Sequence, residues 1–267
     1  NGIEIPLNRN RQSKREPKPR DPELGLIRLD TLEGKPIAVI VNFAAHPVIH
    51  DIRDLRWTWE WPGHMARALE EATGAPAIFV QGAAGDMSPN PEGEWEIKSF
   101  GAEMAAKAAE ANAALETKVP ETPSLQVREE SFAFKTRLDL HNPMVQAVFK
   151  QSFFPELLAM LDEMPGETID PRLSTVVINE ELALVGGSGE FFSSHATRLK
   201  NASPAKKTFF FGYCNGHQMY FPTLQAIEEG GYGADPPVAW AEPGAGEKMI
   251  EKALENLKEM LGAAAGE

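Results

Sequence analysis

The chain has 267 residues and a mass of 29.3 kDa, enough for one large domain with a substantial core. Its 26 Lys and Arg against 39 Asp and Glu give a formal net charge of −13, which argues against nucleic-acid binding because such proteins carry clustered positive charge. The single cysteine, Cys214, excludes an internal disulfide framework and any multi-cysteine metal cluster. We also expect no transmembrane segment, since no apolar run approaches the roughly 20 residues that a membrane-spanning helix needs.

Residues 1–23 are polar and charged and show no apolar period. They predict an extended arm lying on another surface, with a frayed terminus as the alternative. Residues 24–267 predict one α/β domain, because no internal repeat and no linker divides them.

A strand–helix–strand unit opens the predicted domain. Segments 26–29 and 36–42 read as strands, and the second is so apolar that both of its faces should be buried. Pro62 stands at a typical first helical position, and Gly74 ends the apolar period that follows it. A further apolar strand at 75–81 completes a βαβ unit, which implies a parallel pair.

Helices and strands alternate in the rest of the chain. Helices are predicted at 97–115, 142–164 (where Pro155 should kink or split the helix), 189–200 with Ser188 as its cap, and 244–261. Strands are predicted at 125–134, 175–178, 182–185 and 207–213. We therefore predict an α/β fold, in which a mixed sheet with a parallel core is flanked by helices on both faces.

Reactive side chains gather in loops that each follow an apolar strand. Because ligand sites in α/β folds lie at the carboxyl ends of strands, we expect these loops to meet. The loops span 42–47, 81–90, 186–191 and 212–232.

Each candidate residue in these loops has both a functional and a structural interpretation. His46 is a possible metal ligand or proton shuttle, or else a capping or core histidine. Ser88 is a possible nucleophile or oxyanion donor, or else a turn serine before a proline. Glu190 begins a predicted helix, and its structural interpretation is that the helix dipole favours a carboxylate at that position without any further function. Tyr220 and Tyr232 are possible ligands or acids, or partly buried structural residues.

Two common motifs are absent from the sequence, and one aromatic cluster is present. The small-residue turn at 82–85 lacks the Lys-Ser/Thr ending of a P-loop, and the chain lacks the Gly-x-Ser-x-Gly elbow of ordinary α/β-hydrolases. Trp57, Trp59 and Trp61 form a cluster after His46. These rings could wall an apolar substrate pocket or pack in the core beneath the loop.

Taken in chain order, these loops resemble the neutral/alkaline non-lysosomal ceramidase family and its bacterial ceramidase-like relatives. The resemblance runs from residue 24 to about residue 235, and the spacing of the GDxSPN motif and the later tyrosines is fairly specific. The matching segments are NFAAHP at 42–47, WPG at 61–63, FVQGAAGDMSPN at 79–90, GEF at 189–191, GYCNG at 212–216, YFPT at 220–223 and EGGY at 229–232.

The resemblance implies a zinc-dependent hydrolase that cleaves an amide or ester bond, with the metal held by two His, one Glu and one Tyr. By motif, His46, Glu190 and Tyr220 match three of these ligands. Ser88 and Tyr232 match the catalytic serine and a second active-site tyrosine. Whether the serine attacks the carbonyl or stabilises the oxyanion is left open.

Further residues are assigned to substrate binding. His217 stands where many relatives carry an aromatic, and Asp86 belongs to the GDxSPN motif. Both residues, with Trp57, Trp59 and Trp61, are expected to shape the substrate pocket.

The family's other zinc-binding His lies in an upstream His-x-His-Ser motif, which this chain lacks. The chain therefore resembles the C-terminal portion of the catalytic domain, and we expect a second polypeptide to supply the His-x-His motif. Two alternatives stay open. One is a metal-independent serine esterase that uses Ser88 with His46 or His217, and the other is a non-catalytic binding subunit. The substrate and the cellular compartment are not predicted.

Overall fold

The structure is a computed structural model, and it describes residues 6–8, 14–50, 53, 55–90, 95–139, 141–152 and 166–262. Helices and strands alternate along the chain, and the predicted α/β fold class is confirmed. The strands are β1 Pro6–Asn8, β2 Gly25–Asp30, β3 Pro36–Phe43, β4 Ala77–Gln81, β5 Met87–Pro89, β6 Leu125–Ser131, β7 Phe134–Lys135, β8 Thr168–Ile169, β9 Arg172–Ile178, β10 Leu182–Gly187, β11 Glu190–Phe191, β12 Lys207–Phe211 and β13 Tyr220–Phe221. The helices are α1 Glu60–Thr73, α2 Ile97–Ala114, α3 Pro143–Ser152, α4 Ser193–Ala202, α5 Leu224–Glu229 and α6 Ala245–Met260. None of the described helices is both long and apolar enough to cross a membrane.

Two mixed sheets form the body of the fold. The first has the strand order β2-β3-β4, and β3 and β4 are parallel, as the βαβ pattern predicts. The second has the order β12-β10-β9-β6, and β10 and β12 are parallel. Helices α1 and α2 pack against the first sheet, while α4 and α6 pack against the second.

The strands predicted at 175–178 and 182–185 pair antiparallel as the hairpin of β9 and β10. Asn179 and Glu180 occupy its tip with φ of 53° and 56°. A turn of two successive left-handed residues matches the right-handed twist of an antiparallel pair. Such turns favour Asn because it adopts a positive φ more readily than most residues. Beyond this hairpin, α6 buries the apolar face that its helical period predicts.

The two sheets meet where β4 and β12 end. The N–H of Gly212 donates to the Gln81 carbonyl at 3.0 Å. The buried Asn42 amide donates to the carbonyls of Val80 at 3.0 Å and Phe210 at 3.1 Å. One side chain of β3 therefore bridges both sheets, and the carboxyl ends of their parallel strands come together at one place.

One predicted helix starts later than expected. The pattern placed a helix at 189–200 capped by Ser188, but α4 begins at Ser193. Glu190 and Phe191 instead form β11, which pairs in parallel with β13. The Ser188 hydroxyl accepts the N–H of Arg172 at 2.6 Å rather than capping a helix. A local pattern could not show this, because the partner strand lies far along the chain.

Another predicted helix is only partly described. Helix α3 covers the first part of the predicted segment 142–164. The expected break at Pro155 falls outside the described residues.

The role of the Asn42 amide in joining the two sheets can be tested by replacing it with a carboxylate. Asn42→Asp replaces a two-fold donor by a carboxylate that faces two carbonyl oxygens, so we expect a loss of unfolding free energy above about 3 kcal/mol at pH 7. The loss should shrink at low pH, where the protonated carboxyl regains one donor. Urea unfolding of the wild type and the variant at pH 7 and at low pH measures this loss of unfolding free energy.

The matched control is Asn215→Asp, because the Asn215 amide is exposed and donates to the Ser174 hydroxyl rather than to a buried carbonyl. Its cost should stay within about 0.5 kcal/mol. Equal losses in the two variants would show that the bridge does not join the sheets.

Candidate active site

Glu190 is the centre of the candidate site. In β11 it stands opposite Tyr220 of β13, and its N–H donates to the Met219 carbonyl at 2.8 Å. On the other side Gly85 approaches closely, since a Cβ there would lie 2.6 Å from the Glu190 carbonyl oxygen. The loop before β5 can pack against β11 only because this position is glycine. Glu190 is consequently buried between two backbone segments.

Two imidazoles face the Glu190 carboxylate, one on each oxygen. His46 Nε2 lies 3.1 Å from Oε2, and His217 Nε2 lies 3.2 Å from Oε1. Burial alone raises the pKa of Glu190. Hydrogen bonding to His217, the neighbouring His46 and a contact from the Tyr220 hydroxyl outweigh burial and hold that pKa at about 2. The carboxylate is therefore ionised over the whole physiological pH range.

The contact between His46 and Glu190 is not an ordinary hydrogen bond. Within the described part of the chain, His46 Nε2 and Glu190 Oε2 are both buried and neither has a hydrogen-bond partner. Buried polar atoms are rarely left unsatisfied, so this pair of atoms is a candidate for binding a ligand. A nitrogen and an oxygen 3.1 Å apart without hydrogen-bond geometry are compatible with two ligands that share one cation.

The predicted ligands form an incomplete set. Among the residues that the structure describes, no group of three or more His, Cys, Asp or Glu side chains could hold a metal ion. The predicted set has only two such residues, His46 and Glu190, and its third member is Tyr220, whose hydroxyl contacts the carboxylate. Nitrogen and oxygen donors of these types suit zinc, which takes four ligands. The residues present fit three of those positions.

Tyr220 and Tyr232 form a hydroxyl pair beside the carboxylate. Their hydroxyl oxygens lie 3.2 Å apart, and their rings meet edge to face at 5.5 Å. Tyr220 is buried, whereas Tyr232 is 71% exposed. Burial, followed by the charge of Glu190, raises the pKa of Tyr220 far above its usual value. Its hydroxyl is therefore a hydrogen-bond donor at any working pH of a metal-free site.

Tyr213 also belongs to this site, although no role is predicted for it from the sequence. Its ring stacks on His217 with centroids 5.4 Å apart and meets His46 edge-on at 6.5 Å. Burial and the charge of Glu190 raise the pKa of Tyr213 far above its usual value. The signal that could have found it is its place in the loop between β12 and β13, which also carries His217.

Ser88 is connected to the site by a backbone hydrogen bond of the preceding residue. The N–H of His46 donates to the carbonyl of Met87, the residue before Ser88, at 3.2 Å. The Ser88 side chain is buried, and its hydroxyl donates to the carbonyl of Pro89 at 3.2 Å. The predicted roles of Ser88, as nucleophile or oxyanion donor, stay predictions.

Asp86 ties three segments together. One carboxylate oxygen accepts the N–H of Ser193 at 2.6 Å, and the other accepts the Ser193 hydroxyl at 3.1 Å and the Asn8 amide at 2.7 Å. These contacts anchor the start of α4 and strand β1 to the loop before β5. Both oxygens are thus occupied by structural donors, and the predicted contact with substrate stays a prediction.

The three tryptophans occupy different environments. Trp61 is fully buried, and its ring meets those of Phe43, Phe79 and Phe100 edge to face. Its indole N–H donates to the His46 carbonyl at 3.3 Å, so it supports the site from beneath. Trp57 is fully exposed and Trp59 is 58% exposed. Only these two have surface that a substrate could contact.

The remaining predicted pocket residue, His217, has 44% of its side chain exposed. It therefore combines a contact to the buried carboxylate with an accessible ring edge. In all, the structure brings together His46, Glu190, His217, Tyr220 and Tyr232.

Two solved structures that share this fold are ceramidases. Neutral ceramidase from Pseudomonas aeruginosa matches with a TM-score of 0.73 and 17% identity, over 99% of this chain and 52% of that chain. The chain has a ceramidase-like fold. A ceramidase complexed with C2 matches with a TM-score of 0.70 and 15% identity, over 94% of this chain and 51% of that one. The resemblance predicted from the motifs, to the C-terminal portion of a ceramidase-like catalytic domain, is confirmed at the level of the fold.

The chain spans about half the length of the ceramidases that it matches. No family profile matches the sequence, and no curated protein does.

The contrast between the tryptophans is measurable. Trp61→Ala removes a fully buried ring and should lower the unfolding free energy by about 3–5 kcal/mol. Trp57→Ala removes an exposed ring and should change it by less than about 0.5 kcal/mol. Denaturant unfolding of both variants tests the assignment, and a large loss for Trp57→Ala would contradict the exposed position of that ring.

The buried carboxyl of Asp86 should make the unfolding free energy of the protein depend on pH. Burial raises the pKa of Asp86 from 3.8 to about 6, against the lowering effect of its hydrogen bonds from Ser193 and Asn8. A raised carboxyl pKa makes folding take up a proton, so this contribution is present below pH 4 and is lost as pH rises through about 6. The stability of the wild type minus that of Asp86→Asn should be larger at pH 4 than at pH 7, by roughly 3 kcal/mol.

Asp30→Asn is the matched control of opposite sign. A hydrogen bond from Arg28 lowers the pKa of Asp30, so its contribution is lost as pH falls. A difference for Asp86→Asn that is flat or shrinks toward acid would contradict the assignment.

Proposed function

We propose that this chain is the larger part of a zinc-dependent, ceramidase-like hydrolase that cleaves an amide or ester bond. The observation that carries the proposal is the convergence of His46 and Tyr220 on the buried, ionised carboxylate of Glu190, with the Tyr232 hydroxyl beside that of Tyr220. These side chains come from separate segments of the chain that only the fold brings together. The solved structures that share this fold are named ceramidases, a name that denotes hydrolysis of an amide.

His46, Glu190 and Tyr220 would hold the metal. Bound zinc supplies Lewis acidity toward a carbonyl and activates water near neutral pH. The unpartnered His46 Nε2 and Glu190 Oε2 support this assignment, because the structure offers these buried atoms no hydrogen bond.

The tyrosine pair would act on the substrate carbonyl. Tyr232 is accessible, while its hydroxyl is held 3.2 Å from that of the buried Tyr220. A tyrosine hydroxyl fixed in this way can donate to a developing oxyanion or protonate a leaving group. Ser88 would need its hydroxyl to leave the Pro89 carbonyl before it could do either.

The substrate would carry an apolar portion. Trp57 and Trp59 present exposed indole rings on the segment that returns from His46 to α1. Aromatic rings of this kind bind apolar groups while tolerating water at their edges. His217, with its accessible ring edge, would contact the polar part of the substrate.

A second polypeptide would complete the site with a His-x-His motif. The three ligands of this chain leave one zinc position for a further imidazole. That the chain matches only about half of each ceramidase chain supports this proposal.

The test is intact mass with elemental analysis of the native purified particle, followed by hydrolysis assays on acyl amides and esters. We expect a second polypeptide and about one zinc, because one site of this kind binds one ion. His46→Ala and Glu190→Gln should lose both the zinc and at least about 100-fold in hydrolysis. His141→Ala, an exposed histidine remote from Glu190 in the chain, should keep both.

The alternatives give different results. Covalent labelling of Ser88 by a serine-directed phosphonate, with indifference to chelators, would establish a metal-independent esterase instead. A particle without metal, in which Glu190→Gln changes no hydrolysis, would leave only a binding role.

A further inference from the structure

Tyr213 holds a backbone conformation that residues other than glycine rarely adopt. Its φ is 58°, and its N–H donates to the Gly189 carbonyl at 3.1 Å. The next N–H, of Cys214, donates to the Gly187 carbonyl at 2.9 Å. A side chain held in this region bears a cost in free energy that glycine would avoid, and such residues cluster at functional sites.

The Tyr213 ring lies against both imidazoles of the site. One face stacks on His217 with an interplanar angle of 19°. The ring also meets His46 at 74°, edge to face. An aromatic ring with two such contacts restricts the rotation of both neighbours, since either imidazole would have to move the tyrosine to turn.

The Tyr213 hydroxyl contacts the carboxylate that both imidazoles face. It contacts Glu190, the same group that His46 and His217 approach on separate oxygens. The side chain of Tyr213 thus touches Glu190 and both imidazoles.

We propose that Tyr213 is the positioning residue of this site, which holds His46 and His217 on opposite oxygens of Glu190 while its hydroxyl fixes the carboxylate. The consequences for zinc and hydrolysis rest on the proposed function. The arrangement of the side chains does not, and it can be measured in the metal-free protein.

Two variants separate the ring from the hydroxyl. Tyr213→Phe keeps the ring and removes the donor, whereas Tyr213→Leu removes both. Asn215→Ala is the matched control, because Asn215 lies in the same loop with a φ of 59° and its amide donates to Ser174, away from the carboxylate. The control should behave as the wild type in every assay below.

The first measurement is zinc affinity of the native particle by competition with a chelator. Residues that orient metal ligands typically contribute about 10–100-fold to metal affinity. We expect a loss of about 10-fold for Tyr213→Phe and of about 100-fold for Tyr213→Leu. In hydrolysis the two variants should lower kcat by more than they raise KM. Wild-type affinity in Tyr213→Leu would overturn the proposal.

The second measurement is the histidine ring N–H spectrum of the metal-free protein, assigned with His46→Gln and His217→Gln. In the wild type the His217 ring N–H held on Glu190 should exchange slowly with solvent. It should stay slow in Tyr213→Phe and become fast in Tyr213→Leu. If the wild type binds no zinc, the proposed function fails while this spectrum still decides the role of Tyr213. An unchanged signal in Tyr213→Leu would overturn it.

Discussion

A buried negative charge is the constraint on which the site depends. Glu190 lies between two backbone segments, where an isolated carboxylate would be costly and would normally take up a proton. Two imidazoles and the Tyr220 hydroxyl surround it, and their combined effect keeps the charge in place. Each of these groups is in turn held by the strand or loop that carries it. A cation suits the same arrangement, because opposite charge is the most direct compensation for a buried carboxylate.

The close approach of backbone segments makes this burial possible. At Gly85 and Gly189 a Cβ would come within 2.6 Å of a carbonyl oxygen and 2.5 Å of a ring carbon, respectively. Asn42 adds a further constraint, since its amide joins the two sheets at the carboxyl ends of their strands. The loops that carry reactive groups therefore converge for reasons of backbone geometry, before any ligand is considered.

Most secondary-structure elements could be predicted from local patterns. The alternation of β9 and β10, the buried run of β3 and the apolar period of α6 each reflect side chains a few residues apart. Motif spacing likewise placed His46, Glu190, Tyr220 and Tyr232 in loops that follow strands, and these residues do meet. Local patterns misplaced the start of α4, since the strand that pairs with Glu190 and Phe191 lies some thirty residues further along the chain.

The sequence by itself thus determined the α/β class, the order of the main elements and the loops that carry reactive side chains. These follow from periodicity and turn chemistry, which are local properties. Only the tertiary structure decided that Trp61 is buried while Trp57 is exposed, that Asp86 links structural segments, and that Tyr213 touches both imidazoles. Burial and contact depend on which distant segments pack together, and no spacing along the chain encodes that directly.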